Sequence, residues 1–135
     1  MKLNDRVQVT VNVTGEVSKT PYTGTFTALV SLSYRDTFRE DEVRRGLIGA
    51  DPANAHPMVT AMAETAAYLA VRVVEAPDWY KQSVYCTEGP VGRDHNVLTA
   101  VAQAVAEAIN AEHERVSKAA EAAQADLKAA ADKPA

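Results

Sequence analysis

Residues 7–17 read V-Q-V-T-V-N-V-T-G-E-V, and residues 22–32 read Y-T-G-T-F-T-A-L-V-S-L. Val7, Val9, Val11, Val13 and Val17 share one phase of the first run; Tyr22, Phe26, Ala28, Val30 and Leu32 share one phase of the second. Successive side chains of a strand point to opposite faces, so this alternation marks two strands, each with one apolar and one wet face. Two such strands in succession must pair, and their common apolar face must be covered. Ser18–Pro21 between them has a common hairpin-loop length. Closing the chain around it predicts Val17 opposite Tyr22, Val13 opposite Phe26, Val11 opposite Ala28, Val9 opposite Val30 and Val7 opposite Leu32. It also predicts Gly15 opposite Gly24. A slip by one residue would turn the apolar set out to solvent.

A lone hairpin is marginal in water, so the rest of the chain has to cover it. Ser33 with Asp36 three residues on is a capping pattern that predicts a helix over 33–49, ended by Gly49. Glu40 with Arg44, and Asp41 with Arg45, are acid-before-base pairs on that helix. "ADPANAHP" reads as a loop, and Pro57 suits the first turn of the next helix. Residues 58–76 carry a stripe of Met58, Met62, Thr65, Leu69 and Val73 backed by Ala66, Ala67 and Ala70, which predicts a buried central helix lying over the hairpin. Gly and Pro make 84–93 a loop.

Asp94 or Asn96 then caps a last helix reaching about Lys128, marked by Leu98, Val101, Val105, Ile109, Val116, Ala120, Ala123 and Leu127, with Glu112 breaking the pattern. Such a helix is about 50 Å long, whereas a compact chain of this size is only about 37 Å across. The expected fold is therefore α+β: an N-terminal antiparallel β-hairpin packed on a small helical bundle with a long C-terminal helix. Residues 1–117 form a single α+β domain, and 118–135 form an alanine-rich helical or frayed tail.

Composition narrows the function classes. Aromatic residues are 6% of the 135, so the core draws on Ala, Val, Leu and Met. A formal charge of −4 and a pI near 5.3 argue against general attraction to nucleic acid or anionic membrane. Cys86 is the only cysteine, which fits a reducing compartment. "MKLNDRVQVT" has no apolar run of a secretory signal, and no apolar stretch is long enough to span a membrane.

Candidate chemistry is sparse. His56, His95 and His113 show no metal-ligand spacing, and Cys86 has no neighbouring ligand, so neither a metal nor another cofactor is expected. Cys86 with His95 matches no nucleophile motif. "TEGPVGRD" lacks the Gly-Lys-Ser/Thr of a phosphate loop. Arg35, Arg39, Arg44 and Arg45 form the basic cluster of the chain, and Asp36, Glu40, Asp41 and Glu42 interleave with it. A dimeric nucleic-acid-binding regulator using these arginines is the alternative reading, and the interleaved acids weigh against it. Trp79 and Tyr80 follow Pro77 just past the end of the central helix. Trp79 can fold back as a plug over the core, or the pair can anchor a partner, as aromatic residues often do. Tyr80 and Tyr85 are the freer to face outward.

The run "SYRDTFREDEVRRGLIGADPANAHP", then "AETAAYLAVRVVEAPDWYKQS", then "DHNVL" opening a last helix, resembles small proteins of the structural and tail modules of tailed bacteriophages. These are tail assembly chaperones or minor virion components. The resemblance covers residues 20–110, with "VRVVEAPDWYKQS" its most specific piece. It transfers no catalytic residue. It implies a non-enzymatic role in virion assembly, located in the host cytoplasm or the virion, with phage structural proteins from tail or head as partners and homo-oligomers as a further outcome. The expected contact residues are Trp79, Tyr80, Arg44, Arg45, Ile109, Val116 and Leu127.

Overall fold

The structure, a computed structural model, describes residues 2–82 and 90–131. The alternating valines form β1 (Arg6–Thr14), paired antiparallel with β2 (Pro21–Leu29). A short strand, β3 (Val73–Glu75), pairs antiparallel with the other side of β2, so the sheet order is β1-β2-β3. The inward phase is the expected one: Val11, Tyr22, Phe26 and Ala28 are all buried.

The register is not the expected one. Val13 lies opposite Tyr22, Val11 opposite Gly24, Val9 opposite Phe26 and Val7 opposite Ala28, a shift of four residues from the sequence expectation. The expected Gly15–Gly24 rung does not form. An even shift keeps every side chain on its face, so apolar matching cannot choose between the two registers. The connection is Gly15–Thr20 rather than Ser18–Pro21. It is closed by Gly15 N–H donating to Thr20 O at 2.8 Å and Lys19 N–H donating to Gly15 O at 3.0 Å.

Helix α1 (Tyr34–Ile48) begins where its cap was read: the Ser33 hydroxyl accepts the Asp36 N–H at 3.1 Å. Gly49 ends it at φ 97°, a left-handed conformation that favours glycine. Helix α2 (Pro57–Arg72) starts with Pro57 and is capped by His56 Nδ1, which accepts the Met58 N–H at 3.0 Å. It stops at Arg72, four residues short of the expected end, because Val73–Glu75 pair with Thr27 and Ala28 as β3. β-Branched Val73 and Val74 suit a strand, and the sheet supplies the partner that a local reading does not see.

The expected stripe on α2 holds only in part. Ala63, Ala66, Ala67, Leu69 and Val71 are buried, whereas Met58 is 54% and Met62 41% exposed. Helix α1 packs against α2 and buries no residue fully. Asp41 bonds both Arg44 and Arg45, and Glu40 pairs with Arg72 rather than with Arg44.

After α3 (Asp78–Lys81), helix α4 (His95–Ala131) runs for 37 residues, about 55 Å. It buries Val97, Leu98, Val101, Val105, Ile109 and Glu112. These lie along β1, with Asn96 at the Thr14 end and Glu112 at the Asn4 end. The hairpin face is therefore covered chiefly by α4, while α2 adds Ala66 and Leu69 to the core, a correction to the expectation that the central helix does this. Each fully buried Val, Leu or Phe contributes roughly 1.5–3 kcal/mol. Beyond Val116 the helix leaves the body, and from Ala120 to Ala131 every residue is exposed.

Candidate functional site

The α4 extension presents twelve consecutive exposed residues, Ala120 to Ala131. Its apolar marks divide into two groups. Ile109 is 8% exposed and belongs to the core, so it offers nothing to a partner, contrary to the sequence expectation. Val116 is half-buried at the rim, and Leu127 is 72% exposed on a stretch of helix whose described residues are all exposed from Ala120 on. Glu112 is not a flaw in the pattern. Its carboxylate accepts the Asn4 N–H at 2.9 Å and pairs with Arg115, whose guanidinium also donates to Lys2 O at 3.1 Å. The Arg115 hydrogen bond, then the Asn4 N–H, hold its carboxyl down at about 2. This knot fastens the N-terminal segment to α4 at the point where the helix departs.

The opposite end of α4 is fastened as well. Asp94, fully buried, accepts the backbone N–H groups of Val17 and Ser18 at 3.0 Å, the Ser18 hydroxyl at 2.6 Å and the Tyr22 hydroxyl at 3.0 Å. Asn96 accepts the Glu16 N–H and donates to Thr14 O, each at 3.0 Å. Asp94 was legible as a helix cap, but its side chain is spent on the hairpin turn. Bonds from Ser18 first, then from Tyr22 and Val17, lower its carboxyl to about 2. Gly15 leaves the carboxylate room: a Cβ there would lie 2.3 Å from Asp94 Cγ.

Trp79 and Tyr80 both turn inward. The Trp79 ring sits 5.1 Å from Tyr22 and 5.5 Å, edge-on, from Phe26, and its Nε1–H donates to Thr23 O at 3.0 Å. Tyr80 packs edge-on against Phe26 at 5.4 Å, so it does not stand free as expected. Pro77 lies over Gly24, where a Cβ would come within 2.5 Å of the proline ring. Both aromatics are half-buried and stack on the sheet. Tyr85 and Cys86 lie outside the described residues.

The arginines of α1 sit among their acids. Arg44 and Arg45 reach Asp41 at 2.7 and 2.8 Å, and the Arg44 hydrogen bond draws the Asp41 carboxyl below its usual range. Arg35 and Arg39 are exposed. A cavity of about 230 Å³ between α1 and α2 is lined by Thr37, Glu40, Asp41, Arg44, Glu64 and Ala67. Among its charged walls Asp41 pairs with Arg44, while Glu40 is held by Arg72 from outside the lining. His95 Nε2 lies 3.4 Å from the Thr99 hydroxyl, and His113 is exposed. Among the described residues no cluster of three His, Cys, Asp or Glu is placed to hold a metal ion. None of their helices is long and apolar enough to cross a membrane.

The sequence did not point to the second apolar exposure. Tyr34 and Phe38 on α1 are 88% and 69% exposed, with Met58, Val59 and Met62 exposed on α2. The stripe of Met58 and Met62 was read as burial, whereas among the described residues no third layer covers this face of the helix pair. Compared with protein-family models, with curated proteins and with solved structures, the chain has no match.

Proposed function

We propose that this chain is a non-enzymatic morphogenesis or structural protein of a tailed bacteriophage. It acts through protein–protein contacts in tail assembly or as a minor component of the particle. The observation that carries the contact reading is the α4 extension, twelve consecutive exposed residues from Ala120 to Ala131 with Leu127 among them. Alanine can hold this extension helical as a continuation of the buried part of α4, and its exposed Leu127 is an apolar side chain that a partner surface would cover. The exposed Tyr34, Phe38, Met58 and Met62 support the same reading. The bacteriophage assignment rests on the sequence resemblance in "VRVVEAPDWYKQS" and "RDTFREDEVRRGLIG".

A nucleic-acid role through Arg35, Arg39, Arg44 and Arg45 is less well supported, because Asp41 already engages two of the four. Mass spectrometry of purified particles, with affinity capture from infected host cytoplasm, tests the proposal. Recovery of the chain in the particle, or bound to tail or head components, supports it. Absence from both, together with normal particle yield when the coding sequence is disrupted, removes it.

A further inference from the structure

Asp94 is fully buried, and among the described residues no cation pairs with its carboxylate. Neutral donors share it evenly. Oδ1 accepts the backbone N–H groups of Val17 and Ser18, both at 3.0 Å. Oδ2 accepts the Ser18 hydroxyl at 2.6 Å and the Tyr22 hydroxyl at 3.0 Å. Successive N–H groups of a turn that face one point form a concavity for an anion. Here the hydroxyls complete it, so that each oxygen of one planar carboxylate meets a pair of donors.

These donors keep their places through contacts that do not involve the carboxylate. The Gly15 N–H bonds Thr20 O, and the Lys19 N–H bonds Gly15 O, which closes the turn. Asn96 holds Glu16 and Thr14. The Ser18 hydroxyl accepts the Thr20 N–H at 3.2 Å, leaving its own proton for the carboxylate. The Tyr22 ring is set by Trp79, 5.1 Å away. Gly15 supplies the space, since a Cβ there would collide with the Asp94 carboxylate.

We propose that the hairpin turn is a carboxylate receptor in its own right, with Asp94 as its tethered ligand, and that the emptied site takes a free carboxylate. The tether supplies effective concentration, α4 delivering the anion from 76 residues along the chain. Hydrogen bonds to an ionised acceptor are about twice as strong as neutral ones. A donor left unpaired is costly where it is buried, as the Tyr22 hydroxyl is. Formate is the carboxylate that fits Asp94→Ala, where Cβ remains. Acetate fits Asp94→Gly, where its methyl group takes the place of Cβ. The inference depends neither on α4 being a contact element nor on the bacteriophage assignment.

Chemical rescue in the full chain tests it. Asp94→Ala lowers the melting temperature, and sodium formate at neutral pH raises it again, beyond sodium chloride at equal ionic strength. At about 100 times its Kd, formate multiplies the folding constant about 100-fold. Acetate rescues Asp94→Gly and not Asp94→Ala. Formamide, of similar shape and without the charge, rescues neither. As formate is added, the amide proton resonances of Val17 and Ser18 in Asp94→Ala move back toward their wild-type positions. The wild-type chain, its site filled, responds to formate only as it does to chloride. If neither Asp94→Ala nor Asp94→Gly, folded or not, gains more from its carboxylate than from chloride, the proposal is overturned. A response that persists undiminished when Ser18→Ala and Tyr22→Phe are added also overturns it, because the anion then binds elsewhere.

Discussion

Asp94 accepts both the backbone N–H of Ser18, at 3.0 Å, and its hydroxyl, at 2.6 Å, across 76 residues of chain. With the Tyr22 hydroxyl on the same carboxylate, the start of α4 fixes the shape of the hairpin turn and with it the strand register. The Glu112 knot does the corresponding work at the other end of β1.

Both carboxylates make stability depend on acid. Asp94 is lowered from 3.8 to about 2 and Glu112 from 4.5 to about 2. A carboxyl depressed in the folded state stabilises it fully above its unfolded value and ceases to do so as pH falls through the folded one. The denaturation midpoint should therefore hold near neutrality and drop as pH falls from about 4.5 to about 2. Asp94→Asn with Glu112→Gln should lower the midpoint at pH 7 and flatten this slope. Urea titrations across the window show it; an equally steep slope in the double variant would contradict the assignment.

Gly24→Ala should be markedly more damaging than Gly46→Ala. A Cβ at position 24 lies 2.5 Å from the Pro77 ring, and at position 46 it meets nothing. Overpacking of this kind costs about 1–3 kcal/mol, while alanine at an exposed helix position gains about 1 kcal/mol over glycine. Thermal melts of the two variants should move in opposite directions.

Trp79→Ala should cost about 3 kcal/mol, through lost contact with Tyr22 and Phe26 and a lost bond to Thr23 O. Near-ultraviolet circular dichroism should report the loosened aromatic cluster. An unchanged melting temperature, with loss of partner capture instead, would favour the anchor role for Trp79 over the plug.

Cys86→Ser, His95→Ala and His113→Ala, singly or together, should leave activity in a phage assembly assay nearly intact. Loss of activity in a stably folded Cys86→Ser chain would overturn the non-enzymatic proposal.

Local features were legible in the sequence because they are set by neighbours. Ser33, Gly49 and Pro57 mark helix ends through their own backbone and side-chain chemistry. Valine alternation fixes which strand face turns inward. The register was not legible, since an even slip costs nothing on the apolar face and Asp94 and Asn96 decide it from far along the chain. β3 was hidden for a related reason: Val73–Glu75 continue a helical apolar pattern and become a strand only because β2 offers an edge. For the contact surface, the overlong helix could be read from length alone. The burial of Ile109 and the inward turn of Tyr80 depend on packing that no local pattern encodes.

The central claim is that residues beyond Ser117 serve contact rather than folding. A chain truncated after Ser117 tests it most directly, compared with the full chain for thermal melting, for mass by light scattering and for support of particle assembly. The melting temperature should stay within a few degrees, because the buried residues of α4 end at Glu112, while association and particle yield fall. A truncated chain that associates and supports assembly as well as the full one would contradict the account.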